Sequence, residues 1–338
     1  MKSNVYPVGK LPMTVLADLL ARFGSHDPRV VAGVSVGQDA TVIDMGDRYL
    51  VAKTDPITFA TDQIGWYAVN VNANDLACSG AQPRWFLCTI LLPEAVAGQT
   101  MVETIFGQIA DACQAVGASL VGGHTEVTIG IKRPILIGQM LGEVAKDRLV
   151  QSSGARGGDT ILLTKSIAIE GTALIAHEKE KDLRSHGYDD DFLASAKNLL
   201  YAPGISVLRD ALLATEAAPI HAMHDPTEGG VMMGLQELAR AAHLGLMVDA
   251  EKIPILPACQ RLCQHYNLHP LGLIASGSLL LTVAPQHASK VIETLGAAGI
   301  ACTAIGYMLP PEEGCKVRVG GMPRDLPCHE RDEITKIL

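Results

Sequence analysis

Three aspartates in the first quarter of the chain each border an apolar segment: Asp39 in Val36-Gly37-Gln38-Asp39-Ala40, Asp55 in Lys53-Thr54-Asp55-Pro56, and Asp75 in Val71-Asn72-Ala73-Asn74-Asp75. A carboxylate in dry surroundings is costly unless it is paired or bound to a cation. A fold open to this chain therefore has to give these side chains a shared partner. Clustered carboxylates suit Mg²⁺, which prefers oxygen ligands and usually arrives with phosphates. The expectation is an ATP-using enzyme with Asp39, Asp55 and Asp75 as metal ligands. Aspartate also caps turns and strand ends, so for Asp39 and Asp55 the pattern alone leaves that alternative open, and for Asp75 it leaves open a structural salt bridge.

The standard nucleotide loops are missing. There is no Gly-x-x-x-x-Gly-Lys-Ser/Thr, and no Gly-x-Gly-x-x-Gly follows a strand. A triphosphate held without such a loop needs metal ions to neutralise it, which gives the spread carboxylates their role. A net charge of -9 without a Lys/Arg cluster argues against nucleic acid and anionic membrane as partners. The first ten residues lack the apolar core of a signal peptide, and no window has the roughly 18 apolar residues of a membrane span, so a cytoplasmic protein is expected. Eight cysteines at irregular spacing, in a chain long enough to stand without staples, read as reduced, mostly buried thiols.

At 338 residues, 48% of them hydrophobic, the chain is long enough for two mixed α/β domains, expected at 1–150 and 151–338 with the glycine-rich Gln151 to Asp159 at the boundary. In the first, Ala40 to Asp44 and Tyr49 to Thr54 read as antiparallel strands joined at Gly46-Asp47, with Asp55 at the strand exit before Pro56. Ile64 to Ser79 reads as a helix in which Ala68, Val71 and Asp75 share one face, so a charge sits in an apolar stripe. The almost unbroken apolar run Trp85 to Leu92 suits a strand buried on both faces. A helix over Met101 to Val116 leads to a short strand and to Gly122-Gly123-His124-Thr125-Glu126, where paired glycines let backbone approach a ligand closely. Pro134 to Val144 reads as a further strand.

In the second half, Thr160 to Thr164 is a strand leading to Lys165, whose ammonium can pair with phosphate as a point charge. Leu193 to Thr215 reads as helices broken at Pro203. His224-Asp225-Pro226-Thr227-Glu228-Gly229-Gly230 reads as a polar turn before an apolar helix whose start can hold an anion. The remainder alternates strands and helices: Leu246 to Val248, Pro257 to Tyr266, Ser278 to Val283, Gln286 to Ala298 and Cys302 to Tyr307. Cys259, Cys263, His265 and His269 are zinc-ligand residue types, but His265 points elsewhere on its helix and the cysteines suit a core.

Taken in order, Gly37-Gln38-Asp39-Ala40, Lys53-Thr54-Asp55-Pro56, the run from Asn72 to Pro83, Gly122 to Glu126, and His224 to Gly230 resemble the aminoimidazole ribonucleotide (AIR) synthase superfamily. Within it the chain is most similar to the hydrogenase-maturation HypE branch, through Gly9-Lys10-Leu11-Pro12, the Asn-Asp-x-x-x-Ser-Gly-Ala-x-Pro segment and the overall length. The resemblance implies a two-domain PurM-like homodimer whose N-terminal mixed sheets pair, with ATP between the domains near the dimer seam. It implies transfer of phosphate to a carbonyl-type oxygen on a small or protein-borne acceptor, the latter with a maturation partner protein. The implied ATP-contacting residues are Asp39, Lys53, Asp55, Asn74, Gly123, Thr125, Lys165, Asp225, Thr227, Glu228 and Gly229, with Asp75, His124 and Glu126 at the chemistry.

Two segments depart from the HypE pattern. Where HypE carries Gly-Asp-Thr-Lys this chain has Gly123-His124-Thr125-Glu126, and where HypE ends in Pro-Arg-Ile-Cys this chain ends Lys336-Ile337-Leu338. Cys328 lies too far upstream to stand for that terminal thiol. The turn at His224 is nearer the AIR synthase form, so a diffusible acceptor, as in AIR synthase or thiamine-monophosphate kinase, is a further expectation, and a nucleotide-binding scaffold a third.

Overall fold

A computed structural model of the chain describes residues 6, 9, 11–24, 27–33, 40–327 and 331–338. Asp39, with Gly37 and Gln38, lies outside the described residues, as do Lys10 and Cys328. The first half runs α1 (Met13–Phe23), β1 (Val30–Ala32), β2 (Thr41–Asp44), β3 (Arg48–Ile57), α2 (Ile64–Cys78), β4 (Gln82–Pro93), α3 (Gln99–Val116), β5 (Ser119–Thr128) and β6 (Ile135–Ala145). Its six strands form one sheet in the order β1-β2-β3-β6-β4-β5, antiparallel except for the β4/β5 pair.

The second half runs β7 (Thr160–Thr164), α4 (Ile169–Glu178), α5 (Glu180–Ser185), α6 (Asp190–Asn198), α7 (Leu208–Ala217), β8 (Ile220–His224), α8 (Gly230–Ala241), β9 (Gly245–Asp249), α9 (Pro257–Tyr266), β10 (Leu280–Val283), α10 (Pro285–Ala297), β11 (Cys302–Leu309), β12 (Cys315–Val319) and β13 (Met322–Asp325). The second sheet has the order β13-β12-β9-β11-β7-β10-β8, parallel only at β12/β9. The chain break expected at Pro203 falls at a cis Ala202-Pro203 bond between α6 and α7. No described helix is long and apolar enough to cross a membrane.

α2 is not an amphipathic helix with one apolar stripe. Every residue from Ile64 to Cys78 except Trp66 is buried, because β3, β6 and β4 cover one side and α3, with α7 and β8 of the second half, covers the rest. The apolar side chains of α2 and of α4 and α9 belong to one continuous core, so the two sheets are held apart by a shared helical layer. Asp75 thus sits in a helix with no wet face.

The expectation that β4 is buried on both faces is corrected. Phe86, Cys88, Ile90 and Leu92 are buried while Leu87, Thr89 and Leu91 are only half covered, since α2 and α3 pack on one face of the sheet and the other face is open. β5 is the edge strand and is longer than the Ala118 to Gly123 expected. It is exposed along its length from Ser119 to Val127.

Candidate functional site

The first links are made between β3 and α2. Side chains alternate along a strand, so Val51, Lys53, Asp55 and Ile57 all face the helix, Val51 and Ile57 being fully buried. Asn72 ties the two elements together. Its Oδ1 accepts the Asp55 backbone N–H at 2.9 Å, and its Nδ2 donates to the Asp55 carbonyl at 3.3 Å and to the Ala68 carbonyl at 2.8 Å. That clamp sets Asp55 beside Asp75, three residues further along the helix. Lys53 Nζ lies 3.4 Å from Asp55 Oδ2 and 3.3 Å from Asp75 Oδ2. One cation is thus shared by the two carboxylates, the electrostatic demand expected from their apolar flanks.

These residues open onto a cavity of about 580 Å³, inside the size range of small-molecule sites. The first half supplies Lys53, Asp55, Asp75, Val71, Arg133 and the 56–60 segment. The second half supplies Glu170, Leu174, His224, Asp225, Thr227, Glu228, Glu237, Ile274 and Ser276. Asp55, Asp75, Asp225, Thr227 and Glu228 are therefore brought together as expected, with Lys53.

The second-half wall is rich in acid and largely dry. Burial pushes the Glu170 carboxyl up to about 7, although its Oε2 accepts the Ser276 N–H at 3.3 Å. His224 Nε2 is 3.0 Å from Glu237 Oε2, and Cys78 Sγ, at the end of α2, donates to Asp225 Oδ1 at 3.4 Å. The residues lining the cavity include six carboxyl side chains and two cations, Lys53 and Arg133. A triphosphate entering such a wall needs more positive charge than two side chains carry, and carboxylate oxygens on both sides of Lys53 are the donor type that Mg²⁺ selects.

The anion expected at the start of α8 is a carboxylate of the chain itself. Asp332, seven residues beyond the end of β13, is buried and accepts the Gly229 N–H at 2.7 Å, the Ile334 N–H at 2.8 Å and the Ile274 N–H at 3.2 Å. Burial still pushes it up to about 6, against the pull of those three donors. It pins the Thr227 to Gly230 turn that forms one cavity wall. The turn needs its second glycine: Gly230 has φ +65°, and a Cβ there would stand 2.5 Å from the Leu271 carbonyl oxygen.

Other expected residues are elsewhere. Asn74 is fully buried, donating to the Ile205 carbonyl and accepting the Val207 N–H, both at 2.9 Å. Lys165 is no exposed loop lysine: its ammonium donates to the Ser206 and Gly204 carbonyls at 2.7 and 3.3 Å and stands 3.5 Å from Asp210 Oδ1. Burial lowers its pKa. Both residues hold the segment between α6 and α7 rather than lining the cavity.

Gly123, His124, Thr125 and Glu126 lie on β5. Through the register, Asp55 aligns with Gly138, Cys88 and Gly123, and Pro56 with Ile137, Thr89 and His124. His124 and Glu126 therefore emerge on the open face of the sheet, opposite the face that carries Lys53 and Asp55, and about 14 Å away across three strand spacings. They contact each other at 3.2 Å and are well exposed. Gly123 is required for packing within the sheet: at φ +143° a Cβ would stand 2.0 Å from the Cys88 carbonyl oxygen.

Asn72, Glu170 and Asp332 went unread in the sequence. Glu170 carried the same signal as Asp75, an acid inside an apolar run, Ile167-Ala168-Ile169-Glu170. Asp332 offered only the weak signal of a turn cap, and its contacts at Gly229 and Ile274 are more than fifty residues distant.

Comparison with known proteins places this geometry. The family profile described as AIR synthase related protein, N-terminal domain, matches residues 37–144, and its C-terminal counterpart matches residues 156–317. A protein of Methanocaldococcus jannaschii named for hydrogenase expression and formation is 28% identical over 304 residues, covering 87% of each chain. The carbamoyl dehydratase HypE of Rhizobium leguminosarum is 28% identical over 284 residues, 81% of this chain and 77% of that one. Among solved structures, a HypE–HypF complex aligns with TM-score 0.74 at 19% identity over 92% of this chain and 98% of that one. HypE in complex with ATP aligns with TM-score 0.70 at 23% identity over 96% of each. The resemblance drawn from motif order is borne out, and the fold is that of the HypE structures: the chain belongs to the AIR synthase related protein family.

Proposed function

We propose that the chain is an ATP- and Mg²⁺-dependent HypE-like enzyme that phosphorylates a carbonyl-type oxygen and so turns it into a leaving group. The observation that carries this reading is the Lys53 ammonium held between Asp55 and Asp75 at 3.4 and 3.3 Å, at a cavity between the two halves. When bound, Mg²⁺ would supply the positive charge that neutralises the phosphates. Asp55 and Asp75 would hold it, with Asp39, which follows the same motif order, as a third ligand. Lys53 would then turn to the phosphates, and Thr227 with Glu228 would border the second-half side.

The acid-rich wall of Glu170, Asp225, Glu228 and Glu237 favours a neutral acceptor over one that brings its own phosphate. This supports the HypE-like reading over AIR synthase or thiamine-monophosphate-kinase chemistry. Glu170, with its carboxyl near neutral pH, can donate a proton to an acceptor oxygen as well as accept one.

The two-domain division near residue 150, the homodimer and the cytoplasmic location belong to the same proposal. The open edge of β5, with exposed Leu120, Val121 and Val127, suits pairing with a second copy. In that dimer His124 and Glu126 of one protomer would serve the cavity of its partner. A maturation partner protein, as in the HypE–HypF complex, would supply a protein-borne acceptor.

The test is a product-identified ATPase assay with neutral amide-type and phosphate-bearing acceptors, on wild type, Asp75→Ala and Asp75→Asn. Turnover should fall by about 10²-fold or more in both variants, with circular dichroism unchanged in the asparagine variant. Undiminished turnover would overturn the reading. Tight ATP binding without turnover in the wild type, together with a co-purifying protein, would establish the scaffold alternative.

A further inference from the structure

Away from the cavity, the second half brings together three side chains of metal-ligand type. Asp182 on α5, His186 at the end of α5 and His265 on α9 each place one donor atom within 4.8 Å of the other two. None of the three lines the cavity. Asp182 Oδ2 is 3.9 Å from His265 Nε2, and Oδ1 is 3.5 Å from His186 Nδ1, which also contacts the Asp182 carbonyl at 2.9 Å. Donors on one tetrahedral ion at about 2.0–2.2 Å stand roughly 3.4 Å apart, so closing the set takes small side-chain rotations in which His186 releases its Nδ1–H from the Asp182 carbonyl and turns a ring lone pair to the ion.

The cluster is held from behind. The Tyr266 hydroxyl donates to Asp182 Oδ2 at 2.7 Å, which is the main reason the Asp182 carboxyl stays below the usual carboxylate range. His265 packs edge-on against His186, Tyr188 and Tyr266, with ring centroids 4.9, 5.3 and 4.5 Å apart. Arg261, one turn before His265, stacks over Tyr188 and Phe192 at 4.3 and 4.5 Å. Among the described residues no lysine or arginine is ion-paired with Asp182, whose nearest charged partners are the two imidazoles, with Lys179 adding a weaker, more distant positive charge.

We infer that Asp182, His186 and His265 form a site for a first-row transition-metal dication of the Zn²⁺ or Ni²⁺ type, with water completing the coordination, that staples α5 to α9. Two imidazoles and one carboxylate select such ions over Mg²⁺ and Ca²⁺, which take all-oxygen sets. A tyrosine-anchored carboxylate is the outer support such sites use.

Titration calorimetry of the full-length protein with ZnCl₂ and, separately, NiCl₂ in excess Mg²⁺ tests this against His265→Ala and Asp182→Asn. Wild type should take up one equivalent more than either variant, or bind it at least tenfold more tightly, and only wild type should gain melting temperature from that equivalent. Metal bound at His124–Glu126 or His224–Glu237 is common to all three proteins and cancels. Equal uptake and equal melting shifts would overturn the site and leave a plain imidazole–carboxylate ion pair. Asp182 is exposed and His265 is half-buried among aromatic rings, so circular dichroism and the metal-free melting temperature of each variant check that it folds, and Asp182→Asn alone carries the test if His265→Ala does not.

Discussion

Helix α2 and strand β5 carried equally suggestive motifs, and the fold treats them in opposite ways. Asp75 is 5% exposed in a helix covered on all sides, where a carboxylate without a cation would be strongly destabilising, and Lys53 answers it at 3.3 Å. His124 and Glu126 contact each other at 3.2 Å with 64% and 48% of their side-chain surface in water, where such a pair is worth little. A polar side chain therefore demands a ligand only where solvent has been removed, and motif order says nothing about that. What β5 offers is an unpaired sheet edge with chemistry on it, useful only if a second chain covers it.

The largest expected effect breaks or secures that contrast. His124→Ala should leave ATP affinity within about twofold, because the residue is on the wrong face to meet its own chain's cavity, yet lower acceptor-stimulated turnover at least tenfold. Mixing and re-equilibrating Asp75→Ala with His124→Ala protomers should restore roughly a quarter of the wild-type rate, since half the dimers are mixed and each has one intact site. If no activity returns, the two clusters do not meet across a dimer.

A smaller effect is expected at the turn pinned by Asp332. Gly230→Ala forces a Cβ to 2.5 Å from the Leu271 carbonyl oxygen at φ +65° and should cost about 2–3 kcal/mol of stability, read as a lower denaturant midpoint. An unchanged midpoint would mean that this wall of the cavity is softer than its packing indicates.

The last expected effect concerns the dry second-half wall and is read as a pH slope. Glu170 has its carboxyl pushed up to about 7 from an ordinary 4.5 by burial. Between those values the native state keeps a proton that the unfolded chain has released, so this group makes stability fall as pH rises through the window, by at most about 1.4 kcal/mol per pH unit. Glu170→Gln removes that slope. The variant should gain on wild type from pH 5 to pH 8 in denaturant midpoints, and Asp332→Asn in both backgrounds separates the contribution of that neighbouring carboxyl, itself pushed up to about 6. A constant difference across that range would show Glu170 to be ionised in the native protein.

Much of the architecture was legible. The β2–β3 pair, α2, α3, β6 and the alternation from β9 to β11 follow from apolar periodicity bounded by glycine and proline, because those patterns express local backbone preference. Less legible were α1 and the short β1, β12 and β13, whose pairing partners are distant or whose runs are brief. The buried fate of Lys165 was also hidden, since its ammonium is satisfied by the Gly204 and Ser206 carbonyls, forty residues on.

By itself the sequence determined that acid residues would lie in apolar surroundings and would have to find a cation, because hydrophobic flanks and the cost of a dry charge are local facts. Only the tertiary structure decided which of them share one. Lys53, Asp55 and Asp75 meet because strand alternation and the Asn72 clamp aim them at one point, whereas three strand spacings and the opposite pleat keep His124 and Glu126 away.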